Sequence, residues 1–287
     1  MKIIDGYMPF KGFKTYYRIV DGGDKTPLIC LHGGPGSTHN YFEVLDCIAK
    51  TGRKVIMYDQ IGCGKSYVEG HDELWNQETW MEELVALMEY LNIESCHLLG
   101  QSWGGMLAIA YAIEKKNAKL KSLILSSTLS SASLWAKEQH RMIGFMSDDE
   151  QQAILGEDYD SIAYQAANEH YMQLHCAGPF DKDTPECVTR EKKAGRRSYL
   201  IGWGPNEYTP LGTLKDFEYT NRLHEIDVPA LIISGTNDLC TPLVAKTMYD
   251  GIKNSKWHLM PACRHMCFVD DHDTYCQNLK DWLASVE

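Results

Sequence analysis

No run of about 18 consecutive apolar residues occurs in the chain, so no transmembrane helix is expected. The opening stretch MKIIDGYMPFKGFKTYYRIV carries acids, lysines and a Gly-Tyr break where a secretory signal would carry a continuous apolar region, and no signal peptide is read there. Basic charge is scarce: 28 Lys and Arg face 39 Asp and Glu, a net −11 over 287 residues. That balance argues against nucleic acid as the main partner, because phosphate binding needs basic patches. It suits a protein kept soluble in a cytoplasm, where the ten cysteines are expected to stay reduced. Repeats and low-complexity tracts are missing. Metal-ligand spacing is nearly missing too. CRHMC sets Cys263 and Cys267 around His265, but no second Cys/His pair at ligand spacing completes a zinc site. Neither a metal nor a cofactor is expected.

What is present is the composition of a folded enzyme-sized domain, 44% hydrophobic and 23% charged. In the first half, short apolar runs alternate with amphipathic stretches. TYYRIV, PLICLHG, KVIMYD, SCHLLG and LKSLILSST read as strands. ETWMEELVALMEYLNI places Trp80, Leu84, Leu87, Met88 and Leu91 at helical spacing, and WGGMLAIAYAIEKKN, Trp103 to Asn117, reads as a second helix. Strand alternating with helix implies an α/β fold with a mostly parallel central sheet flanked by helices. From about Ser130 to Phe217 strand runs disappear and the composition turns helical, with breaks at CAGPFDKDTP and GWGPNEYTP. The strand VPALIISG, the helix PLVAKTMYDGI, the strand SKWHLM and the helix DTYCQNLKDWLASV then resume the pattern. The simplest organisation is a core of residues 1–128 and 217–287 with a helical insertion over 129–216.

The strongest local signal is LLGQSWGG, a G-x-S-x-G followed by a further glycine, set between a strand and a helix. That context builds a nucleophile elbow, a turn so sharp that the serine's neighbours two residues away must be small. Ser102 is therefore the candidate nucleophile. A serine hydroxyl attacks only when a base takes its proton. On this scaffold the acid follows a strand and the histidine comes last. Asp238 in ALIISGTNDLCTP and His265 in HLMPACRHMC hold those positions. His258 lies inside a strand, where its ring is expected to point into the core or the helix layer, and His272 at the start of the last helix better suits a cap. Developing negative charge on the carbonyl oxygen needs backbone N–H groups. Trp103, after the nucleophile, and Gly34, in the glycine loop LHGGPG, are the candidate donors. DQIGCGKS ends like a P-loop, but Asp59 occupies the place of its first glycine and YVEG follows instead of a helix, so nucleotide binding is rejected.

Together HGGPG, YDQIGCGKS, GQSWGG, SGTNDLCTP and the late His265 resemble, in order and spacing and over nearly the whole chain, the proline iminopeptidase (prolyl aminopeptidase) family of α/β-hydrolases, which includes the tricorn-interacting aminopeptidases of archaea. The resemblance implies an α/β-hydrolase fold with a helical cap where the strand pattern breaks. It also implies a role for GPNEYT, Gly204 to Thr209: in the family a loop of this form bears a glutamate that receives the substrate's free amine, here Glu207. A cationic amine entering a partly dry pocket needs such a fixed carboxylate. Trp203 and Tyr208 beside it are candidate pocket walls, with core packing the alternative. One departure stands out. The family often has a second glutamate directly after the triad aspartate, where this chain has Leu239; Glu157, Glu169 and Glu218 are candidate substitutes. The expected activity is release of an N-terminal residue, proline included, from short peptides with a free N-terminus through an acyl-enzyme. An amino-acid amidase or carboxylesterase would use the same triad, and a non-catalytic ligand binder would have no need of it.

Overall fold

The computed structural model describes residues 1–116 and 119–287. Lys2–Phe10 (β1) and Phe13–Asp21 (β2) form an antiparallel hairpin whose turn residues Lys11 and Gly12 take positive φ, 45° and 83°. β1 is not foreshadowed by the apolar pattern, because only Met8 and Phe10 of it are buried. The remaining strands are β3 (Lys25–Leu31), β4 (Arg53–Tyr58), β5 (Cys96–Gln101), β6 (Leu120–Ser126), β7 (Ala230–Gly235) and β8 (Ser255–Met260). All eight make one sheet in the order β1-β2-β4-β3-β5-β6-β7-β8, and from β4 to β8 every pairing is parallel. Parallel strands need helical crossovers that cover both faces, which is why β5 and β7 read as continuous apolar runs.

Alternate residues of each central strand feed opposite sides of the sheet. Ile29 and Leu31 join one core, with α1 (Gln77–Tyr90) and α2 (Trp103–Lys115). Leu28 and Cys30 join the other, with the 3-10 segment His39–Thr51 and the closing helix. α2 ends at Lys115, and Asn117, the expected end of this helix, lies outside the described residues. Asn76 caps α1 by accepting from the Thr79 N–H at 3.0 Å, and Trp80, Leu84, Leu87 and Met88 are its buried stripe. Between β6 and β7 come only helices: α3 (Ala132–Ile143), α4 (Asp148–Leu155), α5 (Ile162–His175), α6 (Glu186–Thr189) and α7 (Arg196–Gly202). α8 (Pro242–Gly251), α9 (Cys267–Asp270) and α10 (His272–Ser285) complete the chain. Among the described residues no helix is long and apolar enough to cross a membrane.

Two histidines depart from their expected settings. β8 is an edge strand, so the His258 side chain is exposed and does not enter the core. His272 does not cap α10; Asp271 does, accepting from the Thr274 N–H at 3.2 Å, while His272 Nε2 lies 2.9 Å from the Val44 carbonyl oxygen. The DQIGCGKS segment is a structural clamp and forms no P-loop. The Asp59 carboxylate accepts from the His39 and Lys65 N–H groups at 2.9 and 2.8 Å and from His39 Nδ1 at 2.7 Å.

The apolar stripe of α1 contains one acid, Glu83, fully buried. It accepts from the Ile61 N–H at 2.9 Å and from Thr15 Oγ1 at 2.5 Å, holding the loop after β4 against β2. Burial pushes its carboxyl up to about 8, against those hydrogen bonds. The folded protein thus keeps this proton at pH values where the unfolded chain has lost it. The resulting stability is complete below about pH 4.5 and is lost as pH rises through about 8. Melting temperatures of Glu83→Gln are expected to fall less than those of the parent between about pH 5 and 8. Parallel curves for the two proteins would sink this account of Glu83.

Candidate active site

The elbow at the end of β5 has the expected backbone. Ser102 sits at φ 56° and ψ −125°, in a region that a non-glycine residue enters only where its surroundings force it. Its carbonyl accepts from the Gly105 and Met106 N–H groups and from Thr128 Oγ1, and its own N–H donates to Ser126. A side chain at Gly100 would collide with the Gly104 carbonyl, and one at Gly104 with the Leu31 carbonyl of β3. At Gly105 it would meet Thr128. Small residues are obligatory here because strand, turn and helix cross within contact distance.

Asp238 follows β7, is 1% exposed, and has every lone pair engaged. Oδ1 faces His265 Nδ1 at 2.8 Å and accepts from the Cys240 N–H at 2.8 Å. Oδ2 accepts from Ser127 Oγ at 2.6 Å and from the Gly235 N–H at 3.2 Å. With Nδ1–H committed to the aspartate, Nε2 of His265 is the nitrogen free to take a proton. Ser102 and His265 line the same cavity, of about 660 Å³. No direct hydrogen bond joins their side chains; such contacts often tighten only when substrate is bound. One atom, the carbonyl oxygen of His175 at the end of α5, is bonded by the loops of both Asp238 and His265. It accepts from the Leu239 N–H at 3.3 Å and from the His265 N–H at 3.0 Å.

Among the described residues the backbone N–H groups of Gly34 and Trp103 have no protein acceptor, the condition for donating to an oxyanion. A buried network fixes the glycine loop around them. The Gly33 N–H donates to Tyr41 Oη at 2.6 Å, and Tyr41 donates to Gln101 Oε1 at 2.8 Å. Gln101 Nε2 reaches the His265 carbonyl at 3.3 Å. His32 accepts from the Gln60 N–H at Nε2, so its Nδ1–H donates to the Gly33 carbonyl at 2.9 Å. Burial lowers His32 to about 4 and keeps that neutral tautomer. Gln60 also accepts from the Trp103 indole at 2.8 Å, so oxyanion loop, elbow and histidine are braced together. Tyr41, Gln60 and Gln101 escaped the sequence reading, since nothing local marks a side chain bonded to a partner 60 positions away.

The far wall of the cavity comes from α7 and the loop after it, including Tyr199, Leu200, Gly204, Pro205 and Glu207. Glu207 is the only acid lining it among the described residues. Glu207 is half-buried, and its carboxylate accepts from Tyr199 Oη at 2.8 Å. Burial raises its pKa, with His265 and the Tyr199 hydrogen bond opposing. The Trp135 indole holds the Glu207 carbonyl at 2.8 Å. Trp203 and Tyr208 are corrections to the expected pocket walls: both are buried behind the loop and neither lines the cavity. Tyr208 packs into the helices, its hydroxyl meeting Tyr164 Oη at 2.8 Å and Asn168 at 3.1 Å. Leu239 is fully buried and contributes only backbone bonds, its carbonyl accepting from Gln139 at 2.7 Å. None of Glu157, Glu169 and Glu218 lines the cavity.

A nucleophile elbow on a mostly parallel sheet, with an Asp–His pair after the later strands, is the arrangement of an α/β-hydrolase, and the family model for the alpha/beta hydrolase fold matches residues 26–272. The chain is 59% identical over 289 residues to the proline iminopeptidase of Clostridioides difficile (strain 630), covering 99% of each chain. It is 53% identical over 285 residues to that of Lactiplantibacillus plantarum (strain ATCC BAA-793 / NCIMB 8826 / WCFS1), covering 97% of this chain and 99% of the relative. The crystal structure of a proline iminopeptidase from Mycobacterium smegmatis superposes with a TM-score of 0.87 at 28% identity, covering 98% of each chain. The chain belongs to the proline iminopeptidase family of α/β-hydrolases.

Proposed function

We propose that this serine aminopeptidase releases N-terminal proline from short peptides, with Glu207 receiving the free amine. The observation that carries the reading is Glu207, the one acidic residue, among the described residues, lining the cavity that also holds Ser102 and His265. Ser102 Oγ attacks the first residue's carbonyl while His265 Nε2 takes its proton and Asp238 steadies the imidazolium. The Gly34 and Trp103 N–H groups receive the oxyanion. His265 then gives the proton to the leaving amine, and the shortened peptide departs. Water, deprotonated by His265, hydrolyses the acyl-enzyme. Residues 129–216 serve as a cap over a core of 1–128 and 217–287, which brings Glu207 above the nucleophile. The enzyme works in the cytoplasm, a setting that suits its ten free thiols.

A panel of prolyl and other aminoacyl naphthylamides, amino-acid amides and p-nitrophenyl esters, each with free and acetylated amine, tests this. Turnover is expected with free prolyl substrates and is lost on acetylation. Preference for blocked amines or simple esters would overturn it and favour an esterase, which the family relatives do not support.

Two cations, Lys192 and Arg196, line the same cavity. A dipeptide carries a carboxylate on its leaving residue that a naphthylamide lacks, and these cations are suited to receive it. Lys192→Ala with Arg196→Ala is expected to raise KM for a prolyl dipeptide by about 10-fold, with little change for the naphthylamide. Equal effects on both substrates would remove the carboxylate-binding role.

A further inference from the structure

Outside CRHMC, another set of soft ligands comes together. Cys47 lies on the 3-10 segment His39–Thr51, and His272 and Cys276 lie one turn apart on α10. Cys47 Sγ is 3.4 Å from Cys276 Sγ, which is 3.3 Å from His272 Nε2. All three atoms lie within 4.8 Å of one another. From these geometric facts we infer a Cys2His site for a borderline-soft divalent cation of the zinc type, outside the catalytic cavity.

Ligand chemistry and spacing both fit. Thiolate and imidazole are the donors that zinc prefers, at about 2.3 and 2.0–2.1 Å, which puts ligand atoms on a tetrahedral ion about 3.5–3.8 Å apart. The two edges at Cys276, 3.4 and 3.3 Å, need lengthen only slightly, and the third already lies within 4.8 Å. The second nitrogen of His272, Nδ1, faces Asp273 Oδ1 at 3.4 Å, the carboxylate partner that commonly orients a metal-bound imidazole. Binding displaces the thiol protons and also the proton that Nε2 now donates to the Val44 carbonyl at 2.9 Å, leaving the neutral imidazole with its proton on Nδ1. Cys47 and His272 are partly exposed, which gives the ion a path and leaves water for the fourth position. The sequence hid the site because Cys47 and Cys276 are 229 residues apart. Bound metal would tie α10 to the segment that carries Tyr41, the residue bracing Gly33 and Gln101.

The test titrates Zn²⁺ into the reduced, metal-free full chain against a chromophoric chelator and follows the melting temperature alongside. One equivalent is expected to bind and raise the melting temperature by several degrees. Cys47→Ser and His272→Gln are each expected to weaken binding by about 100-fold or more and to abolish the thermal shift, while turnover of a prolyl naphthylamide without metal stays at the parent level. Cys263→Ala should bind like the parent. Undiminished binding in both ligand variants, or loss of binding in Cys263→Ala alone, overturns the assignment. So does a Cys47–Cys276 disulfide found by peptide mass spectrometry in protein that cannot bind zinc after reduction.

Discussion

Ser102→Ala is expected to lower kcat on a prolyl naphthylamide by about 10⁴–10⁶-fold while leaving substrate binding near the parent value. The substitution removes only the hydroxyl; the strained backbone at φ 56°, the glycines that permit it and the oxyanion N–H groups remain. Because serine and histidine act as a unit, adding His265→Ala to Ser102→Ala should cost almost nothing more. Asp238→Asn should cost about 10⁴-fold, since an amide next to Nδ1 favours the wrong tautomer. Steady-state kinetics on folded variants, checked by circular dichroism, decides the matter. If Ser102→Ala kept more than about one hundredth of parent activity, another nucleophile would have to be sought.

Removing Glu207 is the second large effect. Glu207→Ala is expected to reduce kcat/KM for free-amine substrates by about 10²–10³-fold, mostly through KM, because a cation entering the cavity then lacks its counter-charge. Leu239, where the resemblance led one to look for a second acid, is sealed in the core and cannot compensate. Acidity adds a separate signature. Only the ionised carboxylate attracts an ammonium group, and burial raises the Glu207 pKa. The affinity for free-amine substrates should therefore fall with decreasing pH at a higher pH than an ordinary carboxylate would dictate. Glu207→Gln keeps an acceptor for Tyr199, loses the affinity, and should lack this limb in 1/KM. Unchanged KM in both variants would leave the amine without a partner and sink the clamp.

Much of the fold and of the site is legible in the sequence. The elbow announces itself because its glycines are forced by close crossings, and close crossings leave a dense local motif. Asp238 and His265, expected from their order after the later strands, lie side by side at 2.8 Å. What stayed hidden was held by long-range hydrogen bonds or by weak periodicity. β1 was invisible since most of its side chains face solvent. Tyr41 sits on a 3-10 segment that no helical or strand period describes, and its partners are Gly33 and Gln101. Trp203 and Tyr208 take the core-packing alternative, because adjacency to Glu207 in sequence says nothing of which way a ring turns. Tyr199, which does line the cavity and bonds the glutamate, carries no distinguishing neighbour in the chain.

The shared hold of the His175 carbonyl on the Leu239 and His265 N–H groups has a consequence for how the molecule is made. In order of synthesis, the helices between β6 and β7 leave the ribosome before Asp238 and His265 exist. The residue that supplies the shared bond is thus made before the aspartate and histidine loops that use it. Trimming those helices away to obtain a minimal hydrolase would remove a bond that both loops share.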